Sequence, residues 1–381
     1  MKILFVSEFF PLDEKLKFTG GVESYNYYLV KELSKKNQVT VICRKTQEIK
    51  SSLNTENLKI VPIGPLSEKV DTNFVTIPGR ILFTFKAIFF GLKQDFDIVQ
   101  GNNFVVYPIA FIVGFLKNKP RIAWYADVFL GSWVKHTGFI SGIIGEIVEK
   151  IILKLPWSYF IALSESTNNK LQKVGISSKK IKTILAGVEL EYFNKIKAQK
   201  KNIPTVICIS RLVSYKRVDL LLEACSLLKD KGLNFKLDII GDGPERDNLS
   251  KEIISNNLSG HVSIKSNLDR EDLAIRLKSA DLLCHPSEQE GFGLVVIEGC
   301  ACGVPYVISD IDVLVEITKK GYGGLLFKKG DFRDLADKIE TLIKDKNMRE
   351  KKSRQALELA KEYSWEKIAE QFMSVYGKIK N

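Results

Sequence analysis

No apolar run in this chain of 381 residues reaches the roughly 18 residues that a membrane-spanning helix needs. The longest candidate, Phe104–Leu116, is too short. Histidine is scarce, at three residues, and none of the six cysteines (Cys43, Cys208, Cys225, Cys284, Cys300, Cys302) stands at zinc-ligand spacing. That argues against a resident metal and for a reduced, cytoplasmic setting. The opening MKILFVSEFF places Glu8 directly behind a brief apolar run, so it reads as a first strand and not as a signal peptide. Zinc-finger, homeodomain and RRM signatures are missing as well, which leaves no motif for nucleic acid. No repeat of 20–50 residues and no low-complexity tract is present.

What is present is ordinary globular composition, 45% hydrophobic and 27% charged, in a chain too long for one hydrophobic core. Two domains are expected. The net charge of +12 is unevenly placed: residues 1–200 hold 28 Lys and Arg against 17 Asp and Glu, the remainder 29 against 28. A basic half of this kind suits a phosphorylated substrate or an anionic lipid surface, and equally a lysine-rich composition with no partner behind it.

Short β-branched runs alternate with helix-length segments almost throughout. Met1–Ser7, Gln38–Cys43, Leu58–Pro62, Ile98–Gln100, Arg121–Ala126 and Tyr159–Leu163 read as strands, with a helix over Val22–Leu33. After a lysine-rich stretch, Lys195–Pro204, the series restarts with strands at Thr205–Ser210, Phe235–Gly241, His261–Lys265, Leu282–His285 and Tyr306–Ser309. This is the pattern of parallel sheets covered on both faces. The last segment, Trp365–Lys378, carries Ile368, Phe372 and Tyr376 four apart, a stripe that needs a partner surface.

In open parallel sheets ligands bind at the carboxyl ends of strands, and four such corners hold unusual residues. Ser210–Arg217 brings Arg211 and Lys216 into a loop entering a helix, an anion clamp of a guanidinium fork and an ammonium. His285–Glu298 ends a strand at His285, opens its turn with glycines, and begins a helix near Gly293 whose amino end favours an anion. Glu290 and Glu298 in that segment would repel phosphate and suit vicinal hydroxyls instead. The pattern implies a ligand with a diphosphate at its centre and polyols at both ends. Gly241-Asp242-Gly243-Pro244 is a tight turn without the third glycine of a dinucleotide fingerprint. Thr19-Gly20-Gly21-Val22-Glu23 precedes the first long helix and offers backbone amides.

Together these residues resemble glycosyltransferase family 4, a group of retaining enzymes with the GT-B fold. The resemblance rests on Pro286-Ser287, Glu290-Gly291-Phe292-Gly293 and Glu298, on Arg211 with Lys216, on Gly241-x-Gly243-Pro244, on Gly20-Gly21, and on Gly187-Val188-Glu189 with Phe193. It implies an α/β GT-B architecture: two Rossmann-like doubly wound domains facing each other across a deep cleft. The expected divisions are residues 1–200 for the acceptor, 201–361 for the nucleotide sugar, and 362–381 as a helix crossing back to the first domain. The implied activity is transfer of a sugar from a nucleotide-diphosphate sugar to a glycan, lipid-linked or phosphorylated acceptor, with no cofactor. Glu298 would hold the ribose and Glu290 the donor sugar. Arg211 and Lys216, helped by amides of Gly20–Gly21 and Phe292–Leu294, would neutralise the leaving diphosphate, so no metal and no Asp-x-Asp donor motif is expected. Other GT-B reactions such as epimerisation, or a degenerate nucleotide-sugar-binding subunit, are the alternatives. One departure stands out: Trp124-Tyr125-Ala126-Asp127 has alanine where many members carry histidine. Asp127 is then the candidate for contacting the acceptor hydroxyl, with Tyr125 or His136 as substitutes for the missing histidine. His285 reads as structural.

Two further segments bear on the acceptor side. Arg80–Lys93 is apolar and spaced by cations, and Phe139–Leu155 carries Ile140, Ile143, Ile144, Ile147, Ile151 and Ile152. Both read either as core helices over the first sheet or as interfacial helices that place the protein at the cytoplasmic face of an anionic membrane.

Overall fold

The computed structural model describes residues 1–12, 21–46, 52–66, 77–266 and 268–380. The chain divides into two compact units, Met1–Gly187 with Trp365–Asn381, and Val188–Ser364. Among the described residues the first unit holds strands β1 (Lys2–Ser7), β2 (Gln38–Arg44), β3 (Leu58–Ile63), β4 (Ile98–Asn102), β5 (Arg121–Tyr125), β6 (Tyr159–Ala162) and β7 (Ile181–Thr183). They form one parallel sheet in the order β3-β2-β1-β4-β5-β6-β7. Helices α1 (Gly21–Ser34), α2 (Ile77–Leu92), α3 (Tyr107–Leu116), α4 (Trp133–Thr137), α5 (Phe139–Lys154) and α6 (Glu165–Lys173) join the strands. Strands β1 and β4 are buried on both faces, as crossover connections in a parallel sheet require.

The second unit opens with α7 (Leu190–Lys195) and continues through β8 (Thr205–Ile209), α8 (Val218–Asp230), β9 (Lys236–Ile240), α9 (Arg246–Ser255), β10 (Val262–Lys265), α10 (Arg270–Ser279), β11 (Leu282–His285), α11 (Leu294–Ala301), β12 (Tyr306–Ser309), α12 (Asp312–Ile317), β13 (Gly324–Phe327), α13 (Phe332–Lys344) and α14 (Lys346–Ala360). Its strands run in the order β10-β9-β8-β11-β12-β13, all parallel. The order reverses between β8 and β11, and at such a reversal the following helices part to opposite faces and leave a crevice at the strand ends. The loops after β8 and β11 are the two that carry Arg211, Lys216 and Glu290.

The break expected at residue 200 falls inside the second unit. Helix α7 contacts α11, and Lys278 Nζ donates to the Phe193 carbonyl at 2.7 Å, so the change of unit comes at Gly187–Val188. The final helix, α15 (Trp365–Lys380), belongs to the first unit and packs on α1. Trp365 meets the rings of Tyr25 and Tyr28 at 5.3 and 5.9 Å. Ile368, Phe372 and Tyr376 are buried there, which gives the sequence stripe its partner. Tyr376 Oη also donates to Gln100 Oε1 (2.6 Å), the end of a buried amide chain through Asn102 and Asn26 to Ser7. With α1 enclosed by the sheet and α15, its buried side includes Asn26, Tyr27, Tyr28 and Val30 beyond the expected stripe.

Candidate nucleotide-sugar site

The loops after β8 and β11 are tied to each other before any ligand is considered. Glu288 N donates to the Tyr215 carbonyl at 2.9 Å, and Ser287 Oγ donates to the same carbonyl at 3.4 Å. A short 3-10 turn, Ser214–Lys216, leads into α8, and Arg217 at its end pairs with Glu288 and, at 3.1 Å, with Asp219. Between these loops the Glu290 side chain is largely enclosed, 9% exposed, and one of its oxygens, Oε1, contacts both Lys216 Nζ and His285 Nε2. Burial alone would push the Glu290 carboxyl up. The charges and hydrogen bonds of His285 and Lys216 outweigh it and hold the group at about 2, an ionised carboxylate at any working pH.

His285 sits directly against Glu290. Its ring is 2% exposed, and Nδ1 has no hydrogen-bond partner among the described residues. The Nε2 contact orients the ring toward Glu290. Sequence reading missed this because His285 sits inside an apolar strand, where a buried histidine is usually packing.

Arg211 is exposed at the tip of β8. No hydrogen bond or ion pair ties its guanidinium to another described residue, which leaves all five donors for an anion. Helix α11 begins at Leu294, directly after Gly293, whose backbone is left-handed at φ 94°. Phe292 turns its ring inward against Tyr363 at 6.1 Å, so only its amide serves the site. Gly291 and Leu294 are half-buried on either side.

Glu298 lies one turn into α11 and is half-buried. Burial raises its carboxyl above the ordinary range, the Glu189 charge adds to that, and Arg270 opposes it. Arg270, at the start of α10, pairs with Glu189 and stacks 3.8 Å from the Tyr192 ring centroid. Arg270 and Tyr192 join the neighbourhood of Glu298 through tertiary placement alone, and no local motif flagged them.

Gly241 and Gly243 have a different explanation from the one the turn suggested. A Cβ on Gly241 would lie 1.8 Å from the Ser210 carbonyl oxygen, and one on Gly243 would lie 2.4 Å from that of Leu212. Leu212 N donates to the Asp242 carbonyl at 2.9 Å. The glycines let the β9 loop press against the β8 loop, and so fix the loop that carries Arg211.

In the first unit Gly21 opens α1 and is exposed, while Gly20 lies outside the described residues. Asp127, just beyond β5, accepts from Lys170 Nζ at 2.6 Å and from Val128 N at 2.8 Å. Ala126 uses its carbonyl to accept from Thr167 Oγ1 at 3.0 Å. Tyr125 does not replace the missing histidine: its ring is buried in the core and stacked on Tyr107 at 4.7 Å. The side chain of His136 lies outside the described residues.

Two Asp-x-Asp pairs do occur in the sequence, contrary to the expectation. Asp95 pairs with Lys2 at 2.6 Å, Asp97 accepts from the Lys2 amide at 2.8 Å, and Asp310 accepts from the Lys329 amide at 2.8 Å. Asp95 and Asp97 lie before β4, at the amino edge of the first sheet, away from the strand ends where ligands bind. Among the described residues no group of three or more His, Cys, Asp or Glu could hold a metal ion.

Comparison with known proteins gives family matches along most of the chain. The glycosyl transferases group 1 model matches residues 191–359, and the glycosyltransferase family 4 model matches residues 19–192. The two models divide the chain close to the point where its compact units part. The chain belongs to glycosyltransferase family 4, and its fold is of the GT-B class. An uncharacterized glycosyltransferase of Methanocaldococcus jannaschii is 34% identical over 45% of this chain, and the match spans about half (47%) of that relative. The N,N'-diacetylbacillosaminyl-diphospho-undecaprenol alpha-1,3-N-acetylgalactosaminyltransferase of Campylobacter jejuni is 28% identical over 66% of this chain and 69% of its own. Among solved structures, Anabaena HepE in complex with UDP-glucose superposes with a TM-score of 0.77 at 19% identity, covering 99% of this chain and 100% of that one.

Proposed function

We propose that the protein is a retaining glycosyltransferase that moves a sugar from a nucleotide-diphosphate sugar to a glycan, lipid-linked or phosphorylated acceptor. The observation that carries this reading is the Lys216–Glu290–His285 cluster at the β8/β11 reversal, beside the exposed Arg211 and the amino end of α11. Cleavage of the bond between anomeric carbon and phosphate oxygen puts charge on the departing diphosphate. Arg211, Lys216 and the amides at Phe292–Leu294 are placed to stabilise it, and such preorganised groups supply much of an enzyme's rate. Lys216 is shared between Glu290 and the diphosphate. Glu290, held as a carboxylate, accepts hydrogen bonds from donor-sugar hydroxyls and favours positive charge at the anomeric carbon. Glu298 takes the ribose hydroxyls. Gly20 and Gly21 offer amides to the diphosphate, and Asp127, held by Lys170, addresses the acceptor hydroxyl.

With this charge supply the reaction needs no metal and no cofactor. A nucleotide-sugar donor fits the HepE likeness, and a lipid-linked acceptor fits the diphospho-undecaprenol named for the Campylobacter relative. The test is a thermal-shift panel of nucleotide sugars, followed by mass-spectrometric acceptor screening and NMR of the product anomer. A shift with one donor and an acceptor-dependent product of retained configuration is expected. Consumption of donor without acceptor, or an inverted product, would contradict the proposal.

A further inference from the structure

The two isoleucine- and phenylalanine-rich helices each cover the first sheet with one face, as the core reading expects, and leave a second apolar face exposed. Helices α2, α3, α5 and α6 cover the same side of the first sheet, since Phe83, Ala87, Val113, Ile152 and Leu171 share one core cluster. On its outward side α2 leaves Ile81, Leu82, Phe85 (68% exposed) and Phe89 (63%) in solvent. Helix α5 does the same with Phe139 (72% exposed), Ile140 (66%), Ile143, Ile144, Ile147 and Ile151. The remaining exposed side chains of the two helices are Pro78, Lys86, Lys150 and Lys154, with Lys93 just past the end of α2. Helix α2 contains no acidic residue; of the two on α5, Glu149 is buried, and Glu146 accepts from the Gly131 amide at 2.8 Å and lies 3.8 Å from Lys150. Soluble monomers rarely expose apolar surface of this extent without using it.

We propose that the outward faces of α2 and α5 dock in the plane of an anionic lipid bilayer. At 16 residues each, both helices are too short to cross one, and no described helix is long and apolar enough to do so. Aromatic and isoleucine side chains enter the acyl boundary while lysines alongside meet lipid phosphates. Charge decides between occupants. A second copy placed face to face would set Lys86, Lys93 and Lys154 against one another, while Glu146, the half-buried carboxylate on α5, is already engaged by Lys150 at 3.8 Å and by the Gly131 amide. An anionic headgroup layer complements Lys86, Lys93 and Lys154, which carry the net charge of this surface.

The docking helix is also tied to the acceptor-side loop. The Trp133 indole donates to Glu149 Oε2 at 2.6 Å, and a Cβ on Gly145 would lie 2.6 Å from the Trp133 ring, so α4 sits directly on α5. Glu146 and Glu149 hold the segment after β5 that begins with Asp127. Lipid contact through α5 therefore sets that loop at the membrane surface. The inference is independent of the donor chemistry: vesicle binding can fail while nucleotide-sugar binding survives, and the reverse.

The experiment is flotation of the full chain with phosphatidylglycerol-rich vesicles and with pure phosphatidylcholine vesicles, at low and high salt. The wild type floats with the anionic vesicles at low salt and is released by salt. The variant Phe85→Ser/Phe89→Ser/Ile144→Ser/Ile147→Ser, whose sites are exposed, keeps its circular dichroism and melting temperature and loses binding by about tenfold or more. Lys86→Glu/Lys150→Glu loses the preference for anionic lipid. Absence of wild-type flotation at low salt, or equal flotation of the serine variant, overturns the proposal. So does a wild-type dimer that binds no vesicles and dissociates on the serine substitutions.

Discussion

Glu290, 9% exposed, and Glu149, fully buried, are both enclosed carboxyls shifted in opposite directions. Glu290 is held at about 2 because His285 and Lys216 outweigh its burial. Its folded value is depressed from 4.5, so the stability it contributes is in place above pH 4.5 and is lost as pH falls toward 2. Glu149 is pushed up to about 7, chiefly by burial, with Glu146 and Asp127 adding to the rise and hydrogen bonds from Trp133 and Phe129 opposing it. Its sign is reversed: the stability from its neutral form is complete below pH 4.5 and is lost as pH rises through 7. The loss is on the order of 3 kcal/mol. Urea titrations of wild type and Glu149→Gln between pH 5 and 8 check this, and the decline should be absent in the variant. For the chemistry, Lys216→Ala should lower kcat by about 10²–10³-fold, the usual effect of removing one preorganised charge partner. Glu298→Ala should weaken donor binding by roughly 10–100-fold, as expected for hydrogen bonds to a charged group. Steady-state kinetics separate the two, kcat moving in the first and donor KM in the second.

At the scale of elements, the interior strands were legible because parallel strands buried on both faces are continuous apolar runs. Leu282–His285 and Tyr306–Ser309 coincide with their sequence assignments. The edge strands β7 and β13 were not found: Ile181–Thr183 is three residues with a lysine in the middle, and Gly324–Phe327 is half-exposed after a glycine-rich turn. The clamp and the two glutamates were visible because a loop between strand and helix concentrates its chemistry in consecutive residues. Arg270 beside Glu298 was invisible because pairings between helices leave no spacing to read, and the Glu290–His285 contact because His285 closes an apolar strand and reads as packing. The apolar helices were ambiguous for a related reason: periodicity shows that a helix has an apolar face and not which side the sheet takes. Gly241→Ala tests the loop architecture. Its Cβ would meet backbone at 1.8 Å, so the β8 and β9 loops must separate. We expect a loss of about 1–3 kcal/mol in urea unfolding, with donor affinity falling as Arg211 is displaced.

For the whole molecule, the family model for the amino-terminal part and that for the carboxyl-terminal part meet near residue 191. That is close to the Gly187–Val188 division and well before residue 200. The lysine-rich stretch misled because composition marks polar surface, whereas the division follows where α7 packs. A donor held only by the folded second unit should stabilise it by mass action, about 2.7 kcal/mol at a concentration 100 times the dissociation constant. The central claim is that a sugar nucleotide is gripped through its diphosphate by Arg211 and Lys216. Isothermal titration calorimetry of the donor selected by thermal shift, on wild type and on Arg211→Ala/Lys216→Ala, tests it most directly. The account predicts binding to the wild type and a loss of about 100-fold or more in the double variant, with the variant's melting temperature in the absence of donor little changed. Undiminished affinity in a folded double variant would contradict it.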